Sequence, residues 1–334
     1  MIDKKNIVLF FAVLLMLVVF SFVSLKIGSV SISFADLWAV LSGDEIANPT
    51  YEYIIFSRIN RTIVSLLAGG ALALSGLILQ VFFRNPLAGP GVLGISSGAA
   101  LGVAAVVLGG FTLQQFSGYT LTLFAGLIGA VSVLGLLLII SRYVHQMVTL
   151  LVVGLMLSYF SSAVLNVLYQ WANSEATREF VVWGLGSFEG LSSSRLTVFT
   201  VVILFTLLLS FVLVKPLNAL ALGEDYAKSM GVNVSKTRWK IIIITGVLTS
   251  VVTVFCGPIG FLGMAVPQLS RQLAKNQNQA FIMPFTIVLG AFFALSADIF
   301  VRLFDAGIPL NTATSLIGAP IIIWAIFKLN SRRI

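Results

Sequence analysis

An all-α, polytopic membrane protein of about ten transmembrane helices is the fold class this sequence predicts, as one membrane domain over residues 1–334. Three observations carry that reading. Hydrophobic residues make up 58% of the 334 and charged ones only 10%, against roughly 25% charged in a soluble domain. Apolar runs of about 20 residues recur along the whole length, each long enough to cross about 30 Å of hydrocarbon. Charge is also sorted by side. With ten spans and the amino terminus inside, 14 of the Lys and Arg residues fall on the inner side and 6 on the outer, as the positive-inside rule requires.

Composition narrows function as well. One cysteine, Cys256, excludes an intramolecular disulfide, and one histidine, His145, leaves no cluster of soft ligands for a transition metal. No cofactor is expected in this chain. The net charge of +8 sits at helix ends rather than in one patch, which points to topology in a lipid bilayer and away from nucleic acid.

The first span is expected over residues 7–25, behind Lys4 and Lys5; it is too long for a signal-peptide core and lacks an A-x-A site. Residues 33–38, with Ser33 as a cap and Trp38 suited to the headgroup zone, read as a short helix along the outer surface. Residues 44–53 read as an acidic polar loop, and the second span as 62–83. Two prolines and two glycines then turn the chain over 84–91. A third span from about Val92 carries Gly94, Gly98 and Gly102 at four-residue spacing, a stripe that lets another backbone approach closely.

Spans four and five cover 121–140 and 147–169. The mixed segment 170–195 reads as a short helix at the outer mouth, and span six covers 196–214. Span seven covers 241–256, after which Gly257-Pro258-Ile259-Gly260 breaks the chain. The next run, closing at Pro267, is only about ten residues long and crosses only with help from its neighbours. Spans nine and ten cover 282–301 and 313–329, which puts both termini on the cytoplasmic side. Spans two to five and seven to ten form two groups of opposite orientation, an inverted repeat as a hypothesis, with no evident sequence echo between them.

The stretch that organises the rest is the polar interruption at 215–240. Within it Leu220, Ala221, Leu222, Gly223, Glu224, Asp225, Ala227, Lys228, Met230 and Gly231 describe a short helix. Gly223 caps it, Glu224 and Asp225 occupy the positive first turn, Lys228 follows Glu224 by four residues, and Gly231 terminates it. A helix so short is marginal in water, so packing or another protein must hold it. It reads as a docking helix offered to a cytoplasmic partner.

Asp298 and Arg302, four apart near the outer end of span nine, pair on one helix face, and charges at that depth are costly unless paired. Arg58 and Arg61, three apart just before span two, share a face; with Arg302 they make a basic face for an acidic external partner. No catalytic constellation stands out. Residues 231–237 lack the glycines of a phosphate loop, so they are not read as a nucleotide site. Cys256 reads as packing and His145 as solvated.

Longer motifs carry a resemblance. They are Arg58-Ile59-Asn60-Arg61-Thr62, Gly70-Ala71-Leu72-Ala73-Leu74-Ser75-Gly76-Leu77-Ile78-Leu79-Gln80, and Arg84-Asn85-Pro86-Leu87-Ala88-Gly89-Pro90-Gly91-Val92-Leu93-Gly94-Ile95-Ser96-Ser97-Gly98. Leu220-Ala221-Leu222-Gly223-Glu224, Gly257-Pro258-Ile259-Gly260-Phe261-Leu262-Gly263, Ala297-Asp298 with Arg302, and Ile317-Gly318-Ala319-Pro320 follow in order. Together they resemble the FecCD-type permease subunits of ABC importers for iron-siderophores, haem and vitamin B12. The resemblance implies a ten-helix, type II importer permease in a bacterial inner membrane. It would pair with a second copy or a paralogue, and cytoplasmic ATP-binding subunits would dock on residues 220–231. An external substrate-binding protein would meet Arg58, Arg61 and Arg302. The transported iron chelate is expected to be a ferric siderophore, with haem or vitamin B12 as the alternative. Two departures stand out: Gln268 where the family usually has histidine, and Ile59-Asn60 between the arginines in place of the usual Leu-Pro. A secondary transporter would need a buried ion-coupling acid, and Asp298, the plausible one, has Arg302 beside it. A membrane enzyme lacks its nucleophile, base and metal set.

Overall fold

The computed structural model of the chain describes residues 4–28, 30, 32–42, 49–110, 118–144, 146–303 and 307–330, and every regular element among them is helical. In order these are α1 (Lys4–Lys26), α2 (Phe34–Ser42), α3 (Pro49–Phe82), α4 (Ile95–Val107), α5 (Gly118–Tyr143), α6 (Met147–Trp171) and α7 (Ser174–Gly184). Then come α8 (Ser193–Ser210), α9 (Val214–Leu222), α10 (Glu224–Ser229), α11 (Val234–Cys256), α12 (Leu262–Ala274), α13 (Gln279–Leu303) and α14 (Leu310–Asn330). Seven segments are long and apolar enough to cross a membrane: α1, α3, α5, α6, α8 running on into α9, α11 and α13. The shorter α4, α12 and α14 stand where the sequence places spans three, eight and ten. The protein is a polytopic helical membrane protein.

Three expectations change. The second span is not preceded by a loop as far as Tyr53: α3 starts at Pro49 and is 34 residues long, about 51 Å at 1.5 Å per residue. A helix need not end where the hydrocarbon does, and Pro49, which lacks an N–H, suits a first helical position. Arg58 and Arg61 therefore sit inside α3 rather than before it. The rest of that acidic loop, residues 44–48, lies outside the described residues, as does His145. The third span starts later than Val92, because Pro90–Leu93 is a 3-10 turn and Gly94 adopts φ +74°. Of the glycine stripe, only Gly98 and Gly102 lie within α4, where they let α5 approach: a Cβ on Gly102 would come within 2.0 Å of the Ala125 carbonyl.

The third change concerns the repeat. α3 packs on α11, α12 and α13, while α11 packs on α3, α4 and α5; α4, α5 and α6 pack mutually, as do α12, α13 and α14. Exchanging α3–α6 with α11–α14 preserves this pattern, as a twofold internal repeat demands. The fold also exposes a sequence echo: Gly89-Pro90-Gly91-Val92-Leu93-Gly94 before α4 and Gly257-Pro258-Ile259-Gly260-Phe261-Leu262-Gly263 at the start of α12. One inserted residue hides it from a direct alignment. The two breaks meet at the centre, since a Cβ on Gly263 would touch Pro90 at 2.3 Å.

α3 is the most buried of the long spans and α1 the least, so the core lies along α3, α11 and α13. The bundle has two ends: one where α1 begins with Lys4 and Lys5, and one where α1 finishes, which holds Arg58, Arg61 and Arg302.

Candidate functional site

At the end where α1 finishes, three helices converge. The last four carbonyls of a helix have no partner within it, and here all four of those in α1 are satisfied. Val23 accepts from the Ile27 N–H at 3.1 Å. Arg302 Nη1 donates to Ser24 O at 2.7 Å and Arg58 Nη1 to Leu25 O and Lys26 O at 3.0 and 3.1 Å. Arg58 Nη2 reaches Val30 O at 2.5 Å and Arg302 Nη1 reaches Ile27 O at 3.0 Å. Arg302 Nη2 also donates to the Ser24 hydroxyl. Two guanidinium groups from α3 and α13 thus cap α1, where positive charge also complements the helix dipole.

Asp298 lies one turn before Arg302 and is 1% exposed. Its carboxylate is shared: Oδ2 lies 2.8 Å from Arg302 Nη2, the i,i+4 pairing the sequence predicts, and Oδ1 accepts from Arg61 Nε at 2.8 Å. Arg61 Nη1 in turn donates to Glu189 Oε2 at 2.9 Å. Burying a lone carboxylate would be prohibitive; two guanidinium partners compensate it. The basic face read from sequence is therefore not a row of exposed cations. Arg58 and Arg302 turn into the chain, and Arg61 stands between two acids. All three do line one cavity of about 440 Å³, together with Glu189, Tyr53 and Gly28.

The opposite end carries the predicted docking stretch, which is two helices rather than one. Leu220, Ala221 and Leu222 close α9; Gly223, at φ +129°, turns the chain; Glu224, Asp225, Ala227 and Lys228 form α10. Met230 ends α10 and Gly231 follows at φ +78°. Such backbone angles favour glycine, which is why no other residue marks these two joints as cheaply. Lys228 Nζ lies 3.2 Å from Glu224 and 3.6 Å from Asp225. Its hydrogen bond with Glu224, then the charges of Glu224 and Asp225, hold the ammonium above the usual lysine range, so Lys228 stays charged at neutral pH and loses its proton only as pH rises past that range. Leu220 and Ala227 are buried roots, while Leu222, Tyr226 and Met230 stay exposed. Asn218 on α9 ties this lever to the start of α13, accepting from Gln279 N at 2.9 Å and donating to Asn278 Oδ1 at 3.2 Å.

A buried polar cluster near the same end was not singled out from sequence. Gln80 near the end of α3 donates to Met264 O at 3.0 Å, and its Oε1 accepts from Gln268 at 3.0 Å and Arg271 at 3.1 Å. Gln268 also donates to Pro86 O at 2.9 Å. The amide gives two N–H bonds from one nitrogen, which no single imidazole nitrogen can do. The signal available was an amide, Gln80, at the end of an otherwise apolar run. Cys256 is buried in the core, as packing requires.

Residues 15–328 fit the model of the FecCD transport family. The chain belongs to this family. It is similar to the hemin transport system permease protein HmuU of Yersinia pestis, 31% identical with 96% of this chain and 95% of that protein covered. It is also similar to the molybdate import system permease protein MolB of Haemophilus influenzae, 34% identical with 96% and 95% covered. Among solved structures, an inward-facing metal-chelate type ABC transporter superposes with a TM-score of 0.84 at 32% identity, covering 96% of this chain and 99% of the other. FecCD membership makes the chain an ABC importer permease, a transport subunit.

Proposed function

We propose that this chain is the membrane subunit of an ATP-driven importer that passes a ferric siderophore from an external binding protein into the cytoplasm. The observation that carries the ATP-driven part is the α9–α10 lever. A six-residue helix cannot hold itself, yet it is rooted by Leu220 and Ala227 and presents Leu222, Tyr226 and Met230 outward. Exposed apolar side chains around a charged turn suit a protein partner. Cytoplasmic ATP-binding subunits dock there, and hydrolysis belongs to them rather than to this chain. Both termini then face the cytoplasm of a bacterial inner membrane. A second copy or a paralogue completes the translocation path, and the outer cluster around Arg61 meets the binding protein.

The chelate assignment rests on family resemblance and on the likeness to a metal-chelate type transporter. The relatives named for hemin and for molybdate keep other cargoes in view. Uptake of labelled ferric siderophore, haem, cobalamin and molybdate in a strain lacking this gene decides among them. Loss of siderophore uptake alone, restored by the gene, is the expected result; loss confined to any other cargo overturns the assignment.

A further inference from the structure

We infer that Glu189 is an internal stand-in for the partner's carboxylate: it occupies Arg61 in the free permease and is displaced when the external binding protein docks. The inference rests on the proposed docking of an acidic partner at the arginine cluster. Three observations single out Glu189. Arg58 and Arg302 are held by backbone carbonyls of α1 and by Asp298. Arg61, in contrast, spends Nε on Asp298 and Nη1 on Glu189, and its Nη2 makes no hydrogen bond among the described residues. Arg61 is thus the arginine whose bond to an exposed carboxylate an incoming one can replace.

The two acids on Arg61 differ sharply in what release would cost. Asp298 is 1% exposed and would be stranded as a buried charge, whereas the Glu189 side chain is 62% exposed and would return to water. Glu189 also sits on the short connection between α7 and α8, whose backbone is anchored by Ser187 N–H on Cys256 O and by the buried Phe188. Rotation of the exposed Glu189 side chain alone therefore releases Arg61 without moving either helix. Room exists on both sides. Cavities of about 590 and 440 Å³ adjoin at Tyr53, Ser57 and Arg61, and Glu189 lines the second of them beside all three arginines.

The consequence is a competition at one guanidinium. An ion pair with an exposed carboxylate is worth about 0.2–1 kcal/mol, so removing the competitor tightens docking about 1.4- to fivefold. The experiment uses the permease assembled with its ATP-binding subunits in nanodiscs and titrates its cognate binding protein at two salt concentrations. Glu189→Gln is expected to tighten binding and steepen its loss with salt, because one more uncompensated cation faces the partner. Arg61→Ala is expected to weaken binding, and Arg61→Ala with Glu189→Gln to match Arg61→Ala alone. If Arg61→Ala weakens binding but Glu189→Gln leaves it unchanged or weakens it too, the stand-in role is overturned while docking at Arg61 survives. If Arg61→Ala changes nothing, the docking site and the inference fall together.

Discussion

Arg58 and Arg302 look alike in sequence to Arg61, yet their work differs. Each of the two replaces missing helical partners for α1 carbonyls, and Arg302 also compensates a buried acid. Removing Arg58 leaves three carbonyls short of a donor, a cost of about 1–3 kcal/mol. Removing Arg302 breaks a buried pair as well, about 3–5 kcal/mol. Thermal unfolding in detergent micelles should therefore rank Arg302→Ala below Arg58→Ala, and both below wild type. Melting of both variants at the wild-type temperature would show that α1 is not anchored in this way. The residue scale also explains why spacing misled: i,i+3 places Arg58 and Arg61 on one face of α3, but what lies opposite that face was not in the spacing.

Among elements, the α9–α10 lever is the one whose shape follows most directly from local sequence. Gly223 and Gly231 set its joints, and the Glu224–Lys228 pair closes its single full turn. Lys215, Pro216 and Asn218 read as a polar interruption after residue 214, yet the helical segment runs on through α9 to Leu222. Glu224→Lys removes that pair and puts a cation at the positive helix start, so co-purification of the ATP-binding subunits should fall about three- to tenfold. Undiminished association together with undiminished uptake would detach the lever from the motor. Gly76 shows the opposite case, an element contact without local signature: a Cβ there would lie 1.6 Å from the Gly263 carbonyl, so α3 and α12 touch backbone to backbone.

For the molecule as a whole, α13 joins the two working ends. It starts at Gln279, bonded to Asn218 of the lever, and ends at Asp298 and Arg302 beneath the outer cluster. Its 25 residues make a rod of about 37 Å. α3 covers about 29 Å from Arg61 to Gln80 and packs along α13. Helices rather than loops therefore connect the lever with the arginine end. Because no part of this route supplies energy, proteoliposomes holding the permease and binding protein without the hydrolysing subunit should move no cargo against its gradient. Concentrative uptake under those conditions would refute the ATP-driven reading.

By itself the sequence determined the helical class, the apolar runs that become the long spans, the glycine and proline breaks at 84–91 and 257–260, and the joints of the lever. Each depends on residues near one another in the chain, where hydropathy, turn chemistry and helix capping act. Tertiary structure alone decided that α3 extends back to Pro49, that Gln80 gathers Gln268 and Arg271, and that two of three arginines cap α1. The partners of Arg302 at Ser24 and Ile27 lie 278 and 275 positions away in the chain. Which donor meets which carbonyl is set by how helices cross, and in lipid that crossing is fixed by close van der Waals packing at small residues such as Gly76 and Gly102.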